Sequence, residues 1–333
     1  MRPFWKDLLY GFMVGMVLPG AIVHLAAAYF LPTSAVQTVA VVTQPEETAP
    51  KSESEEQETK MTMKLRTPDG NVEEQDMDSY LTCVLLKEMP SYFEMEALKA
   101  QAVVARTYAL KASVTGGKHG DGSVCTRPEC CQGYLTEAEY RSAGGKAEAV
   151  DKIRSAVDAT SGSVLLYGGI PIEATYFSCS GGRTEDAAAV WGTDFPYLRA
   201  VDSPGEEEAS HYCDTQVFQA AEFADALGIA SEKPLKEWFG TATYTAGGGI
   251  AEMTIGGKKF TGTELRQLLG LRSTDIVMET DGETVTVTTM GYGHRVGMSQ
   301  YGADAMAASG SNYEEILAHY YQGAVLSDDY VLE

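Results

Sequence analysis

Pro90 does more than any other residue to limit how this chain can fold. It interrupts YLTCVLLKEMPSYFEMEALKAQAVVARTY, residues 80–108, a stretch that otherwise favours helix. Its ring disfavours the helical conformation at Met89, so a first helix over 79–88 must stop there. A second helix is predicted over about 93–112, where Ala97, Ala100, Val104 and Tyr108 recur at helical spacing and make one packed face. Its small alanines let a neighbouring element approach closely. Lys99, Gln101 and Arg106 give the same helix polar positions. Glu88 is thus fixed at a helix end beside a polar helix face, where a catalytic acid can be held still. The plain alternative is a solvated helix terminus.

The N-terminal part of the chain has a different character. Residues 8–31 carry no charge, and the next charged residue is Glu46. At 1.5 Å per residue that run matches a hydrocarbon core of about 30 Å. Arg2 and Lys6 precede it and no basic residue follows before Lys51, so the positive-inside rule places 1–7 in the cytoplasm and the rest outside. The length predicts an uncleaved signal anchor, a single transmembrane helix; a cleaved leader with a small-residue site near Ala26 is the competing reading. Residues 32–60 are rich in Pro, Glu, Ser and Thr and have little to bury, so they read as a disordered acidic linker.

From residue 61 on, helix and strand patterns do not alternate regularly. The predicted class is therefore mixed α+β, in two lobes around a substrate cleft. Strands are expected over 61–65, 244–255, 258–260 and 284–289. A hairpin is expected over 164–167 and 171–177 around Gly168 and Gly169, and helices over 218–227, 263–269 and 312–321. The net charge of −22 argues against nucleic acid as a partner, since phosphate binding needs a basic face.

Three clusters carry chemistry. His119, Cys125, Cys130 and Cys131 fall within thirteen residues. In an exported chain that spacing suits a disulfide or a zinc ion, and adjacent Cys130 and Cys131 are poorly placed to bond each other. Cys179 and Cys213 either pair or stay free. The run Tyr176, Phe177, Ser178, Cys179, Ser180, Gly181, Gly182, Arg183 offers hydroxyls and open backbone N–H groups to a sugar. A serine nucleophile partnered by His211, His294 or His319 is the sharper alternative, but the G-x-S-x-G elbow is missing. Residues 291–302 hold spaced glycines in a turn that presents His294, Ser299 and Gln300. Their likeness to a phosphate-binding loop is loose.

The block EMP…EALKAQAVVARTYAL resembles the signature of the SpoIID family, the sporulation glycan-cleaving proteins of endospore-forming bacteria. FSCSGGRTEDAAAVWGTDFPYLRAV at 177–201, GTELRQLLGL at 262–271 and GYGHRVGMSQYGADAMA at 291–307 agree in order and spacing. The resemblance spans roughly residues 62–326. It implies a membrane-anchored lytic transglycosylase with Glu88 as the acid. That group would protonate the oxygen between N-acetylmuramic acid and N-acetylglucosamine, then as carboxylate take the proton of the muramyl C6 hydroxyl. A 1,6-anhydro end forms and no water is consumed. Glu96 lies one turn from Lys99 and reads as its ion-pair partner. The remaining polar residues, Lys99, Gln101, Arg106, Tyr176, Ser178, Ser180, Arg183, His294, Ser299 and Gln300, would hold substrate, with Lys99, Arg106 and Arg183 meeting the lactyl carboxylate. In the family a Cys–Cys pair, matched here by Cys125 and Cys131, precedes a Gln-x-Tyr segment, here 132–134. Some members are similar to this chain in adding a histidine and holding zinc, which implies His119, Cys125 and Cys131 as ligands, with a Cys125–Cys131 disulfide as the alternative. Broader relatives often carry glycine where Arg295 stands, and the sporulation branch is similar to this chain in keeping arginine. The implied partners are glycan strands stripped of stem peptides, a sporulation amidase–endopeptidase (SpoIIP-like) and a membrane protein (SpoIIM-like). Two rival classes remain: a non-catalytic, amidase-enhancing glycan binder, and a zinc hydrolase, which would lack any H-E-x-x-H pattern.

Overall fold

Asp76 and Pro90 set the two ends of the first helix. In the computed structural model, which describes residues 61–328 and 330, β1 (Thr62–Arg66) and β2 (Val72–Asp76) form an antiparallel hairpin across the turn at 68–71. Asp76 Oδ1 accepts from the Ser79 N–H at 2.8 Å and starts α1 (Met77–Glu88). Met89 is extended (φ −115°, ψ 132°), as a following proline demands, and α1 ends. Phe93 still belongs to the turn that follows, its N–H donating to the Pro90 carbonyl at 3.1 Å. Helix resumes two residues later than expected, as α2 (Met95–Thr115). Asp304 accepts from the Glu94 N–H at its start, and Gly116 closes it in the left-handed region (φ 84°).

The larger core is built around α2. Ala97, Ala100, Ala102, Ala105 and Ala109 are all buried, so neighbours come within close packing distance. After β3 (Val124–Cys125), parallel to β1, come α3 (Glu137–Ser142) and α4 (Ala147–Asp158). α4 packs on both α1 and α2. β4 (Val164–Tyr167) and β5 (Ile170–Pro171) make the expected hairpin. Beyond it β6 (Tyr176–Phe177) leaves the hairpin and pairs elsewhere, and α5 (Ala187–Trp191) follows.

A second, smaller core belongs to 213–290, with Phe223, Leu227, Ile255, Leu265, Val285 and Val287 at its centre. β7 (Cys213–Gln219) leads into α6 (Ala220–Leu227). Phe218, expected in helix, is strand because β7 pairs along its whole length with β12. β8 (Phe239–Tyr244), β9 (Ile250–Ile255) and β10 (Lys258–Phe260) form one sheet, so the single strand expected over 244–255 is two strands split at the glycines 247–249. α7 (Gly262–Leu268) precedes β11 (Asp275–Thr280) and β12 (Thr284–Met290), which pair antiparallel. The chain then returns to the first core. β13 (Met298–Ser299) pairs parallel with β6, and α8 (Gln300–Ala308) and α9 (Tyr313–Tyr320) pack on α2. β14 (Val325–Ser327) adds to β4. The class is α+β, as expected.

Arg295 joins the two cores. Its backbone lies in the left-handed region (φ 63°) and its guanidinium is fully buried. Nε donates to Ser180 O at 2.7 Å, and Nη2 to Arg183 O at 2.9 Å and Gly247 O at 2.8 Å. Glu185 and Asp275 each lie 3.4 Å away as counter-charges. The expected cytoplasmic tail, transmembrane helix and linker lie outside the described residues. Among the described residues no helix is long and apolar enough to cross a membrane.

Candidate functional site

Glu88 is the last residue of α1, and Pro90 turns the chain away just beyond it. Its carboxylate is half-buried and held from two sides. Oε1 accepts from the Gly133 N–H at 2.5 Å, and the Tyr176 hydroxyl hydrogen-bonds the same carboxyl. Tyr176 is itself positioned by Gln132, whose Nε2 donates to its hydroxyl at 3.3 Å, while Tyr80 donates to Gln132 Oε1 at 2.8 Å. Burial raises the Glu88 pKa above the usual carboxylate range; the Gly133 N–H, Lys87 and Tyr176 act the other way and do not cancel it. The segment 132–133 must be tight here. A Cβ at Gly133 would stand 2.5 Å from Glu88 Oε1.

Glu88 opens onto a cleft of about 880 Å³. Most of the lining comes from elements of the larger core, and Arg266 of α7 brings in the smaller one. Tyr176, Ser178, His294 and Gln300 line the cleft with Glu88, so five of the residues picked out from the sequence come together here. His294 is neutral near pH 7, because burial, with Arg266 and Lys118 adding, pulls its pKa to about 4 against the effect of the Tyr176 backbone. Its Nδ1 accepts from Val296 N at 3.1 Å, and its ring meets Phe177 and Trp191 at centroid distances of 5.6 and 5.2 Å. Gln300 Nε2 is buried with no protein acceptor among the described residues.

The other six polar residues expected to hold substrate stand elsewhere. Lys99 is paired with Glu96 at 2.7 Å on the surface of α2. Gln101 is fully buried. Arg106, also fully buried, bonds Asp78 at 3.0 Å and the Ser163 carbonyl at 3.2 Å, tying α1 to the turn after α4. Arg183 pairs with Asp202 and donates to Ala246 O. Ser180 Oγ donates to the buried Glu206 at 2.9 Å, and that carboxylate also takes the Ser180 and Gly181 N–H groups. Ser299 caps α8, accepting from Gly302 N at 3.1 Å. Burial or a dedicated ionic partner accounts for each displacement from the cleft. Among the described residues no histidine hydrogen-bonds Ser178 or Ser180, so the serine-nucleophile alternative lacks its base; His319 instead meets Asp202 O at 2.7 Å.

Three cleft residues escaped the sequence reading. Glu173 is a second half-buried carboxyl whose pKa burial raises, with Lys111 and Lys118 opposing. Arg266 and Lys118 are the cleft's cations. The signal for Arg266 was its place in the block 262–271.

Beside the cleft, His119, Cys125, Cys130 and Cys131 bring their donor atoms within 4.8 Å of one another. His119 Nε2 lies 3.5 Å from Cys131 Sγ and 3.9 Å from Cys130 Sγ, and the two sulfurs are 3.9 Å apart. A tetrahedral ion with bonds of about 2.0–2.3 Å has edges of about 3.5–3.8 Å, so this set fits one. Burial opposes the Cys125 thiolate, but the Arg127 N–H, His119, Cys130 and Cys131 prevail and lower its pKa to about 6. Cys130, which the ligand set implied by the resemblance omits, brings a fourth donor atom to the cluster. All six cysteines are free thiols, so neither Cys125–Cys131 nor Cys179–Cys213 is a disulfide.

A family model described as stage II sporulation protein, SpoIID, matches residues 68–167. The chain is 39% identical over 268 residues to stage II sporulation protein D of Bacillus amyloliquefaciens, covering 79% of this chain and 77% of that one. The protein of the same name from Bacillus subtilis (strain 168) is also 39% identical, with 78% of it covered. A Bacillus subtilis amidase enhancer is 29% identical over 73% of this chain, which spans only 40% of that longer protein. With more than three quarters of two such relatives matched, the chain belongs to the SpoIID family of stage II sporulation proteins.

Proposed function

We propose that this protein is a lytic transglycosylase acting on peptidoglycan glycan strands that have lost their stem peptides, with Glu88 as its acid and base. The supporting observation is one carboxyl, half-buried, raised in pKa and held by the Gly133 N–H and the Tyr176 hydroxyl at the wall of an 880 Å³ cleft. A raised pKa keeps the proton available near neutral pH. Protonated Glu88 gives its proton to the glycosidic oxygen as the C1–O bond breaks. The resulting carboxylate takes the C6 hydroxyl proton as O6 bonds to C1. Atoms balance without water. Exposed faces of Trp191 and Tyr292 suit stacking on sugar rings, and Ser178 and Gln300 offer hydrogen bonds.

The family setting supports work at the cell wall during sporulation, beside an amidase–endopeptidase and a membrane partner. The uncharged run 8–31 and the acidic linker support a body held outside the membrane by one anchor. His119, Cys125, Cys130 and Cys131 would hold zinc. A bound ion would supply a cross-link that fixes the loop leading to Gln132 and Gly133. Four protein donors leave no open position, so we assign the ion a structural role.

Glu173 favours one second reading, a two-carboxylate hydrolase. Mass spectrometry of peptide-free glycan strands, treated with wild type or Glu88→Ala, separates the two. Anhydro ends, about 18 mass units below hydrated ends and lost in the variant, support the transglycosylase. Hydrated ends support the hydrolase. Binding without cleavage points to the non-catalytic reading.

A further inference from the structure

Arg266 is an arginine without a counter-ion. Every other arginine among the described residues has a carboxylate oxygen within 4 Å, except Arg127, which lies against the Cys125 thiol. In a chain of net charge −22, carboxylates are plentiful, so a half-buried guanidinium left unpaired is the exception. Its one hydrogen bond to the described residues is from Nε to the Arg272 carbonyl at 3.2 Å. That bond fixes the plane of the group and leaves both terminal nitrogens to a ligand.

The position is rigid. α7 starts in a reciprocal cap between Thr261 and Glu264, and Leu265 and Leu269 bury the neighbouring face in the smaller core. The charge is felt inside the cleft, where it helps keep His294 neutral. Arg266 and Tyr292 also line an adjoining groove of about 490 Å³ with Thr263, Gln267 and Arg272. The guanidinium therefore stands where the main cleft runs on into a second groove, next to an exposed aromatic ring. The cleft's other cation, Lys118, already donates to the Cys130 carbonyl.

We propose that Arg266 is the specificity residue that reads a carboxylate on a sugar, and that on the proposed substrate this is the lactyl carboxylate of a muramyl residue. The inference rests on the glycan reading given above. A guanidinium presents two parallel N–H donors that match a carboxylate. A stem peptide converts that acid to an amide, which has no charge and only one good acceptor. Arg266 thus favours strands from which the peptide has been removed. Lys99, Arg106 and Arg183, expected from the sequence to play this part, all have partners elsewhere.

The test compares peptide-free strands with the same strands after their lactyl acids are coupled to methylamine, a small neutral cap. Binding is measured on full-length protein carrying Glu88→Gln, so no cleavage intervenes. We expect the free acid to bind roughly tenfold or more tightly, the scale of a charge-assisted pair. Adding Arg266→Gln should abolish the preference while weakening the capped strands less than threefold. Arg266→Lys should keep part of it. Equal binding of both strands before the Arg266 change, or a preference that survives Arg266→Gln in a protein of unchanged melting temperature, overturns the proposal. If Arg266→Gln fails to fold, the capped-strand comparison and Arg266→Lys decide alone. These readouts do not depend on cleavage, so failure of the transglycosylase reading leaves them intact.

Discussion

Glu88 carries opposite demands, on chemistry and on stability. Burial raises its pKa above the ordinary 4.5, so the folded protein holds the proton more tightly than the unfolded chain. As pH rises, the unfolded chain releases this proton first, and folding stability falls until the folded carboxyl has also ionised. The penalty is absent well below the ordinary value and grows as pH rises through it toward the raised folded value. Glu88→Gln removes it while its amide oxygen still accepts from Gly133. Thermal melts should show the variant more stable than wild type at pH 7, with the two converging in acid. Wild type melting higher at pH 7 would mean that the Gly133 and Tyr176 bonds outweigh burial. Arg295 shows a residue answering to two constraints of another kind. Its left-handed backbone suits glycine, yet only the guanidinium reaches Ser180, Arg183 and Gly247.

At the scale of elements, local signals were legible and distant partners were not. α1 and α2 were readable because proline, caps and alanine spacing act within a few residues. β7 was misread in part because its strand character comes from pairing with β12, about seventy residues on. The same blindness shaped the site. Glu88, Tyr176, Ser178, His294 and Gln300 could be found from short motifs. Arg106 and Arg183 looked free because Asp78 and Asp202 are remote in sequence, Glu173 gave no local sign of facing the cleft, and Arg266 gave only its place in the block 262–271. Gly133 was legible only as part of the Gln-x-Tyr segment, yet its N–H meets α1 where the reaction is proposed to occur. Gly133→Ala would press a methyl group against Glu88 and Lys87, both flexible enough to yield. Turnover on peptide-free strands should fall roughly 10- to 100-fold, the usual cost of about 1 Å of misplacement. The melting temperature should stay within a few degrees of wild type. A large drop in melting temperature would instead mark the glycine as structural.

Across the described residues, two cores are tied at a few polar joints, and the loop that carries the His and Cys cluster is tied to Glu88. His119, Cys125, Cys130 and Cys131 lie in the loop that leads directly to Gln132 and Gly133. If the ion is structural, purified protein should hold one zinc per chain, and chelation should lower the melting temperature by several degrees before activity is lost. Loss of activity at an unchanged melting temperature would assign the ion to the chemistry. Cys130→Ser should weaken zinc retention, as removal of a fourth ligand requires.

Pro90 has a consequence beyond ending a helix. The backbone dipoles of α1 sum along its axis, and their negative pole lies at its last turn, where Glu88 stands. That pole disfavours a negative charge on a carboxyl near the helix end. The break in the chain thus both aims the acid at the cleft and helps it keep its proton. Were the helix to continue for another turn, the same glutamate would stand away from that pole and give up its proton at lower pH.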